Sequence, residues 1–293
     1  LLAGDHVISS RSLFGTTVGF INNIVTKFGI EVSHVSPTDV DEWKAAVKAN
    51  TKLLFLETPS NPLGEVADLE ALAELAHSIG ALLVVDNSLL SPVGSQPLKH
   101  GADISVSSAT KAIDGHGRVM GGVLAGSEEL MTQVAVYCNS CGLAMSPFNA
   151  WQLLSGVETL SLRMEKQFDN ALKIAQWLQA QPQVQAVYYT GLPDHPQAEL
   201  IRKQQNGGGI VIGFEVADTD AAWKIVDSVE LFSRTANLGD VRSTITHPWT
   251  TTHGRMQPEE KLAANIRPGL VRLSVGLEYV DDLIDDLKQA LAR

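Results

Sequence analysis

The sequence has only two cysteines, Cys138 and Cys141, and they stand together as one C-x-x-C pair. Such a pair can be a redox motif or half of a zinc site. No second pair follows, and no thioredoxin-like strand–motif–helix arrangement surrounds this one, so we interpret both residues as ordinary thiols. With nothing else to pair, the chain is expected in a reducing compartment, the cytoplasm.

Long apolar runs and basic blocks are also missing. No apolar stretch approaches the roughly 18 residues of a membrane-spanning helix, and the opening LLAGDHVISS has no signal-peptide pattern. Lysine and arginine number 22 against 33 acidic residues, for a net charge of −11. Neither a membrane nor a nucleic-acid partner is therefore expected. His247 and His253 have no persuasive metal spacing and no acidic or cysteine cluster beside them, so no metal site is predicted either.

The composition is that of a globular protein with a large core. The chain has 293 residues, of which 44% are hydrophobic and 19% charged, enough for one large domain or two ordinary ones. The first half alternates apolar strands, such as KLLFLET and ALLVVDN, with helical stretches, which predicts a mostly parallel sheet flanked by helices. After a long helix from Ser146, broken near Gly156, the pattern becomes α+β. We predict an α/β domain over 1–155 and a smaller α+β domain over 156–293.

Unusual polar residues follow several of the predicted strands. Asp86 ends ALLVVDN, Asn61 lies in the turn after KLLFLET, and the stretch SVSSATK brings Ser108, Thr110 and Lys111. Ligands of parallel sheets bind outside the carboxyl ends of the strands. Pyridoxal phosphate (PLP) needs a lysine amine, a carboxylate for its pyridine nitrogen, and hydroxyl or N–H donors for its phosphate. The residues at these strand ends match that set.

Each of these signals has an ordinary explanation when taken alone. An aspartate at a strand end is usually a helix cap or a turn residue, and Ser-x-Thr-Lys is usually a solvated turn. Arg272, inside the apolar strand LVRLSVG, is costly to bury unless paired. Its planar guanidinium could bind a substrate carboxylate at two points, or it could form an internal salt bridge. Taken together, and in this order on an alternating α/β pattern, the signals indicate a binding site more strongly than any of them does alone.

Several motifs together resemble a known enzyme family. ETPSNP, VVDN, GADISVSSATK, NLGD, THGRMQPEEK and LVRLSVGLE occur in family order over essentially the whole chain. On them the chain resembles the PLP-dependent enzymes of cysteine and methionine metabolism, the trans-sulfuration family. The resemblance implies the PLP-dependent transferase fold of type I and a homotetramer whose active sites form within dimers. It also implies that an N-terminal segment, with a phosphate-binding loop and a Tyr/Arg pair, is missing before Leu1.

The resemblance assigns roles in cofactor binding to five residues. Lys111 would be the Schiff-base lysine and Asp86 the partner of the pyridine nitrogen. Ser108 and Thr110 would bind the phosphate, and Asn61 would contact the ring oxygen.

Four further residues concern the substrate and the branch of the family. Arg272 would bind the α-carboxylate, with Asn237 nearby, where the family usually has serine or threonine. Phe14 stands where a tyrosine commonly stacks on the cofactor, and it can stack without donating a proton. Arg118 stands where lyases usually have aspartate. It could bind the distal carboxylate of a succinyl group or form a structural ion pair.

Phe14 favours a carboxylate over a thiolate as the leaving group. A thiolate, with a thiol pKa of about 8.5, benefits from an acid at that position, whereas a carboxylate, with a pKa near 4, leaves unaided. Phe14 and Arg118 resemble the sulfhydrylase branch that acts on O-succinyl-L-homoserine and sulfide, giving L-homocysteine and succinate for methionine biosynthesis. The alternatives are a cystathionine γ-synthase, a methionine or cystathionine γ-lyase, or a catalytically silent fragment.

Overall fold

The computed structural model describes residues 1–254 and 256–293. Within them the chain forms two sheets. The first has six strands in the order β2-β1-β3-β4-β5-β6. Its strands are β1 (His6–Ser10), β2 (Glu31–Val35), β3 (Thr51–Glu57), β4 (Leu82–Asp86), β5 (Ile104–Ser108) and β6 (Gly122–Gly126). All neighbours in it are parallel except β5 and β6, so the sheet is mostly parallel, as predicted.

The second sheet has five strands in the order β7-β8-β11-β10-β9. They are β7 (Ala186–Tyr188), β8 (Val211–Glu215), β9 (Ser233–Arg234), β10 (Thr244–Thr246) and β11 (Leu270–Ser274). Its pairs are antiparallel apart from β9 with β10. Two of these strands, β9 and β10, are only two and three residues long.

Helices separate most of the strands. They are α1 (Gly15–Asn23), α2 (Val40–Ala45), α3 (Leu69–Ser78), α4 (Ser91–Gly94), α5 (Glu128–Cys141), α6 (Pro147–Glu158), α7 (Leu160–Gln179), α8 (Ala198–Gln204), α9 (Thr219–Ser228), α10 (Pro258–Ala263) and α11 (Val280–Leu291). Aspartate side chains cap several of them: Asp39 accepts two backbone N–H groups at the start of α2, and Asp68 accepts one at the start of α3. No helix of the described ranges is long and apolar enough to cross a bilayer.

Each sheet has its own hydrophobic core. Leu54 and Leu83 of the first sheet pack in one cluster with Trp43 of α2 and Leu72 of α3. In the second sheet, Phe214 packs with residues of α7, α9 and α11 in a larger cluster. Burial of these apolar side chains supplies the main favourable term in folding. The proposed boundary between domains at 155/156 stays a prediction.

Two predicted helices differ from the structure. The stretch TDVDEWKAAVKAN, residues 38–50, predicts a helix along its length, but the helix ends at Ala45. Beyond it Lys48 and Thr51 form a turn, in which the Thr51 N–H donates to the Lys48 carbonyl oxygen at 3.0 Å and the Lys48 N–H donates to the Thr51 hydroxyl at 2.8 Å. The long helix breaks at Thr159 and not at Gly156. Gly156 serves close packing instead, since a Cβ atom there would lie 2.2 Å from the carbonyl oxygen of Ile113.

Candidate active site

Three parallel strands of the first sheet end with polar or charged side chains at one edge. β3 ends at Glu57, β4 at Asp86 and β5 at Ser108. The register pairs Glu57 with Asp86 and Asp86 with Val106, so the three ends lie side by side. The structure therefore brings the predicted Asp86 and Ser108 to the edge where such sheets bind ligands, and it adds Glu57.

Ser88 joins Asp86 to the segment that carries Ser108. The Ser88 hydroxyl donates to Asp86 Oδ1 at 2.6 Å and accepts the Ser108 backbone N–H at 2.7 Å. Burial raises the pKa of Asp86, and the hydrogen bonds from Ser88 oppose that rise. One carboxylate oxygen is thus fixed by Ser88. A cationic ligand on the other oxygen would favour the ionised form.

Lys111 lies in a π-helical turn, Ala109–Ile113, directly after β5. Its backbone angles (φ −86°, ψ −129°) depart from the helical region and interrupt the turn at this residue. Its Nζ donates to Oδ1 of Asn237 at 3.0 Å. Burial lowers the pKa of Lys111, and the nearby charge of Arg272 lowers it further. A lowered pKa increases the fraction of neutral amine, the form that acts as nucleophile or base.

Arg272 lies in the middle of β11 and is 2% exposed. Its Nη2 donates to the carbonyl oxygens of Ala236 at 2.8 Å and Asn237 at 3.2 Å, while its Nε is buried without a partner. Burial lowers the pKa of Arg272 to about 10. No ion pair of Arg272 is found within the described ranges, so the internal salt bridge considered from the sequence is not formed there. A guanidinium in this state can accept a carboxylate ligand.

Arg163 lies behind the Lys111 turn and was missed from the sequence. It is 5% exposed, and its guanidinium donates to the carbonyl oxygens of Ala112 (2.7 Å), Ile113 (3.2 Å) and Gly156 (2.7 Å). Its Nε donates to the Thr159 hydroxyl at 3.1 Å. Arg163 therefore ties the two residues after Lys111 to the junction of α6 and α7. An arginine in an amphipathic helix gives no sequence signal for such a role.

Phe14 follows β1 and begins α1. Phe14 is 53% exposed, and its backbone N–H donates to Glu57 Oε2 at 3.0 Å. Glu57 is 5% exposed, and burial together with the neighbouring Asp86 raises the pKa of Glu57 to about 8. A glutamate at the end of an apolar strand was visible in the sequence, but its contact with Phe14 spans 43 residues and depends on the fold.

Thr110 and Asn61 were predicted to contact the phosphate and the ring of the cofactor. The Thr110 hydroxyl donates to the carbonyl oxygen of Gly121 at 3.3 Å and accepts the Gly121 N–H at 3.0 Å. To donate to a phosphate, Thr110 would have to release that carbonyl. Asn61 lies partly buried in the loop after β3. The roles of Ser108, Thr110 and Asn61 stay predictions.

Arg118 forms an ion pair. Its guanidinium lies 2.9 Å from Oδ1 of Asp114, whose side chain is fully buried, and it also donates to the carbonyl oxygen of Gln152 at 3.3 Å. Of the two roles considered from the sequence, the structure favours the structural ion pair.

Two other features lie apart from these residues. A cavity of about 450 Å³ is lined by Phe168, Tyr189 and Arg202, and none of the candidate residues lines it. Within the described ranges no cluster of three or more histidine, cysteine or acidic side chains could hold a metal ion.

The residues at the strand ends fit the groups of PLP. Lys111 offers an amine with a lowered pKa, and Asp86 offers a carboxylate with one oxygen fixed by Ser88. Asn237 connects Lys111 to Arg272: its side-chain oxygen accepts from Lys111 Nζ, and its carbonyl oxygen accepts from Arg272 Nη2. The Nε of Arg272 is buried without a partner. The chain thus offers an amine, a carboxylate and a guanidinium, the kinds of group that PLP and an amino acid bind.

Comparisons with known proteins agree with this chemistry. The family model of Cys/Met metabolism PLP-dependent enzymes matches residues 1–292. An O-succinylhomoserine sulfhydrylase from Pseudomonas aeruginosa is 50% identical over 291 residues, which cover 99% of this chain and 72% of that protein. An L-methionine gamma-lyase from Porphyromonas gingivalis is 42% identical, over 99% of this chain and 73% of that protein.

The fold is found among solved structures as well. That of a cystathionine gamma-lyase from Lactobacillus plantarum, complexed with L-serine, superimposes with a TM-score of 0.96 at 34% identity, over 100% of this chain and 77% of that chain. The predicted type I fold of PLP-dependent transferases is confirmed.

Proposed function

Since the chain belongs to the Cys/Met metabolism PLP-dependent enzymes, we propose that it replaces the succinyl group of O-succinyl-L-homoserine with sulfide, giving L-homocysteine and succinate. PLP is the cofactor of the family. The observation that carries the proposal is the 50% identity to a sulfhydrylase of that substrate, against 42% to a methionine gamma-lyase of similar coverage.

Phe14 supports the choice of leaving group. A phenyl ring at the start of α1 can stack on a flat ligand but carries no proton for a departing thiolate. Succinate leaves as a carboxylate of pKa near 4 and needs no such acid. The γ C–O bond breaks and a C–S bond forms. Hydrosulfide brings in one negative charge, and the new carboxylate of succinate carries one away, so atoms and charge balance.

PLP, when bound, supplies an electron sink for reactions at the carbon beside the amino group. Asp86 would hold a proton at the pyridine nitrogen, with Ser88 orienting its carboxylate. Lys111 Nζ would bind the cofactor covalently and, once displaced by the substrate amine, take the proton from Cα. The burial that lowers the pKa of Lys111 favours the neutral amine that this step requires.

Arg272 would bind the α-carboxylate of the substrate at two points. It is buried, it lacks an acidic partner within the described ranges, and its Nε is unpaired. Asn237 would orient Lys111 Nζ whenever that amine is free of the cofactor, since its side-chain oxygen accepts from the amine at 3.0 Å. Ser108, Thr110 and Asn61 are proposed as phosphate and ring contacts.

We also propose a cytoplasmic homotetramer. Exposed apolar side chains on α6, among them Phe148, Trp151 and Leu154, are 59–67% exposed and suit an interface between copies. Sedimentation of the purified protein tests the oligomeric state.

The proposed reaction is tested by a choice of nucleophile. Purified protein with PLP and O-succinyl-L-homoserine is supplied with equal concentrations of sulfide or L-cysteine, and products are identified by mass spectrometry. We expect faster formation of homocysteine with sulfide. A faster reaction with cysteine would indicate a cystathionine γ-synthase, and release of 2-oxobutyrate from methionine would indicate a γ-lyase. A protein that takes up no PLP would be a silent fragment.

A further inference from the structure

We propose that Glu57 is a positioning residue of the cofactor site: its carboxyl group fixes the backbone of Phe14 to the strand edge that presents Asp86. The inference rests on the proposed function, in which PLP lies between Phe14 and Asp86.

The topology places Glu57 between these two residues. β3, which ends at Glu57, has β1 as one neighbour and β4 as the other. β1 leads into the loop that carries Phe14, and β4 ends at Asp86, the register partner of Glu57. Glu57 Oε2 accepts the Phe14 N–H at 3.0 Å. One side chain thus connects the segment proposed to cover the cofactor ring with the edge proposed to hold its nitrogen.

Glu57 is an expensive residue for this place. Its side chain is buried, it stands beside the like charge of Asp86, and no ion pair of Glu57 is found among the residues that the structure describes. Burial and the neighbouring carboxylate raise its pKa to about 8. An apolar residue at this position would avoid the free-energy cost of burying a carboxyl group. Stability alone therefore does not account for a carboxyl group here, whereas holding a backbone N–H requires a polar atom.

The segment that Glu57 holds has few other attachments. Phe14 begins α1 without a side-chain cap, and Ile21 is the buried residue of that helix. Nearby, Ser12 donates to Glu65 at 3.0 Å, which anchors the loop two residues earlier. Loss of the Glu57 acceptor would therefore free the backbone at Phe14 more than it would disturb the core. The expected cost is in cofactor binding.

The test compares Glu57→Met, which removes the acceptor, with Glu57→Gln, which keeps an oxygen of the same reach. Glu215→Met is the matched control: Glu215 also ends a strand, β8, is 5% exposed and accepts a hydrogen bond, from Tyr188 at 2.8 Å, but it lies in the second sheet. Two quantities are measured on the intact protein, the hydrogen exchange rate of the Phe14 amide and the dissociation constant of PLP.

We expect Glu57→Met to speed exchange of the Phe14 amide and to weaken PLP binding, each by about tenfold, which is the usual weight of one hydrogen bond. Glu57→Gln should keep both within about threefold of the unchanged protein, and Glu215→Met should leave both unchanged. Rescue by glutamine is the result that a merely apolar packing role would not give.

The inference is wrong if Glu57→Met binds PLP as tightly as Glu215→Met does, even if its Phe14 amide exchanges faster. Glu57→Ala repeats the test with a smaller side chain, and failure of both variants to fold would show that Glu57 serves the fold itself. The proposed function fails separately, if PLP does not attach to Lys111 in the unchanged protein.

Discussion

Buried charged residues differ in their hydrogen bonding on the two sides of the Lys111 turn. The side toward the junction of α6 and α7 is called the region behind the turn, and the side toward the strand ends and β11 is called the region in front of it. Behind it, Arg163 donates four hydrogen bonds to one hydroxyl and three backbone carbonyl groups. The buried Asp114 there is paired with Arg118. In front of it, Arg272 leaves its Nε unpaired, and Glu57 stands beside Asp86. Both arginines are buried to a similar degree, so burial does not distinguish them.

We propose that the difference separates a structural region from a ligand site. Native proteins pair nearly all buried polar groups, because an unpaired one costs free energy. Arg163 and Asp114, behind the turn, follow that rule. The region in front departs from it in ways that an amino acid and PLP would correct, since a carboxylate fits Arg272 and a protonated ring nitrogen fits Asp86.

The largest effect is expected at Arg272, in front of the Lys111 turn. Arg272→Met should lower kcat/KM for the amino-acid substrate by about a thousandfold, because a desolvated carboxylate–guanidinium pair is lost. Stability should stay close to that of the unchanged protein: a buried charge without an acidic partner is removed, while the carbonyl groups that lose its hydrogen bonds belong to Ala236, which is exposed, and Asn237, which is partly exposed. Steady-state kinetics and urea unfolding of the same preparation measure both. A large loss of stability would place Arg272 with Arg163 as a structural residue.

Arg163→Met should show the opposite balance. It leaves three buried carbonyl groups without their donor, and we expect the free energy of unfolding to fall by about 3 kcal/mol. Urea unfolding measures the loss. If Arg163→Met stays as stable as the unchanged protein, the contrast between the two sides fails.

The pH dependence of stability should sharpen the comparison. The pKa of Glu57 is raised to about 8 in the fold, from an ordinary value near 4.5, by burial and by Asp86. Its contribution to stability is therefore complete below the unfolded pKa and is lost as the pH rises through the folded pKa. In protein stripped of PLP, stability relative to Glu57→Gln should fall by about 2 kcal/mol between about pH 5 and about pH 7. Parallel curves for the two proteins would refute the shift.

The smallest effect is expected at Arg118. Its side chain is 36% exposed, and Arg118→Met should cost about 1 kcal/mol of stability, because backbone N–H groups continue to donate to Asp114. The KM values for the O-succinyl and O-acetyl esters of homoserine should change by the same factor. A selective rise for the succinyl ester would instead assign Arg118 to the distal carboxylate.

The sequence was most informative at the strand ends. The positions of Lys111, Asp86 and Arg272 after or within apolar strands were predictable, because a costly polar residue there is conspicuous and because parallel strands end at one edge. The roles of the three residues stay predictions. Ser88 and Glu57 were not assigned, since their roles depend on contacts with Ser108 and Phe14 that only the fold creates.

The misplaced helix break has a similar cause. A glycine suggested the break at Gly156, whereas that glycine allows close approach of the Lys111 segment. The break itself is at Thr159, whose hydroxyl accepts from Arg163. The local sequence does not show whether a glycine ends a helix or allows another segment to pack closely against it.

The proposed reaction depends above all on Lys111 being the residue that binds PLP covalently. The protein is reduced with borohydride in the presence of PLP, digested, and its peptides are mapped by mass spectrometry. We predict a single pyridoxyl group, on Lys111, and none in Lys111→Ala. A pyridoxyl group on another lysine, or one that survives in Lys111→Ala, would contradict the assignment of Lys111.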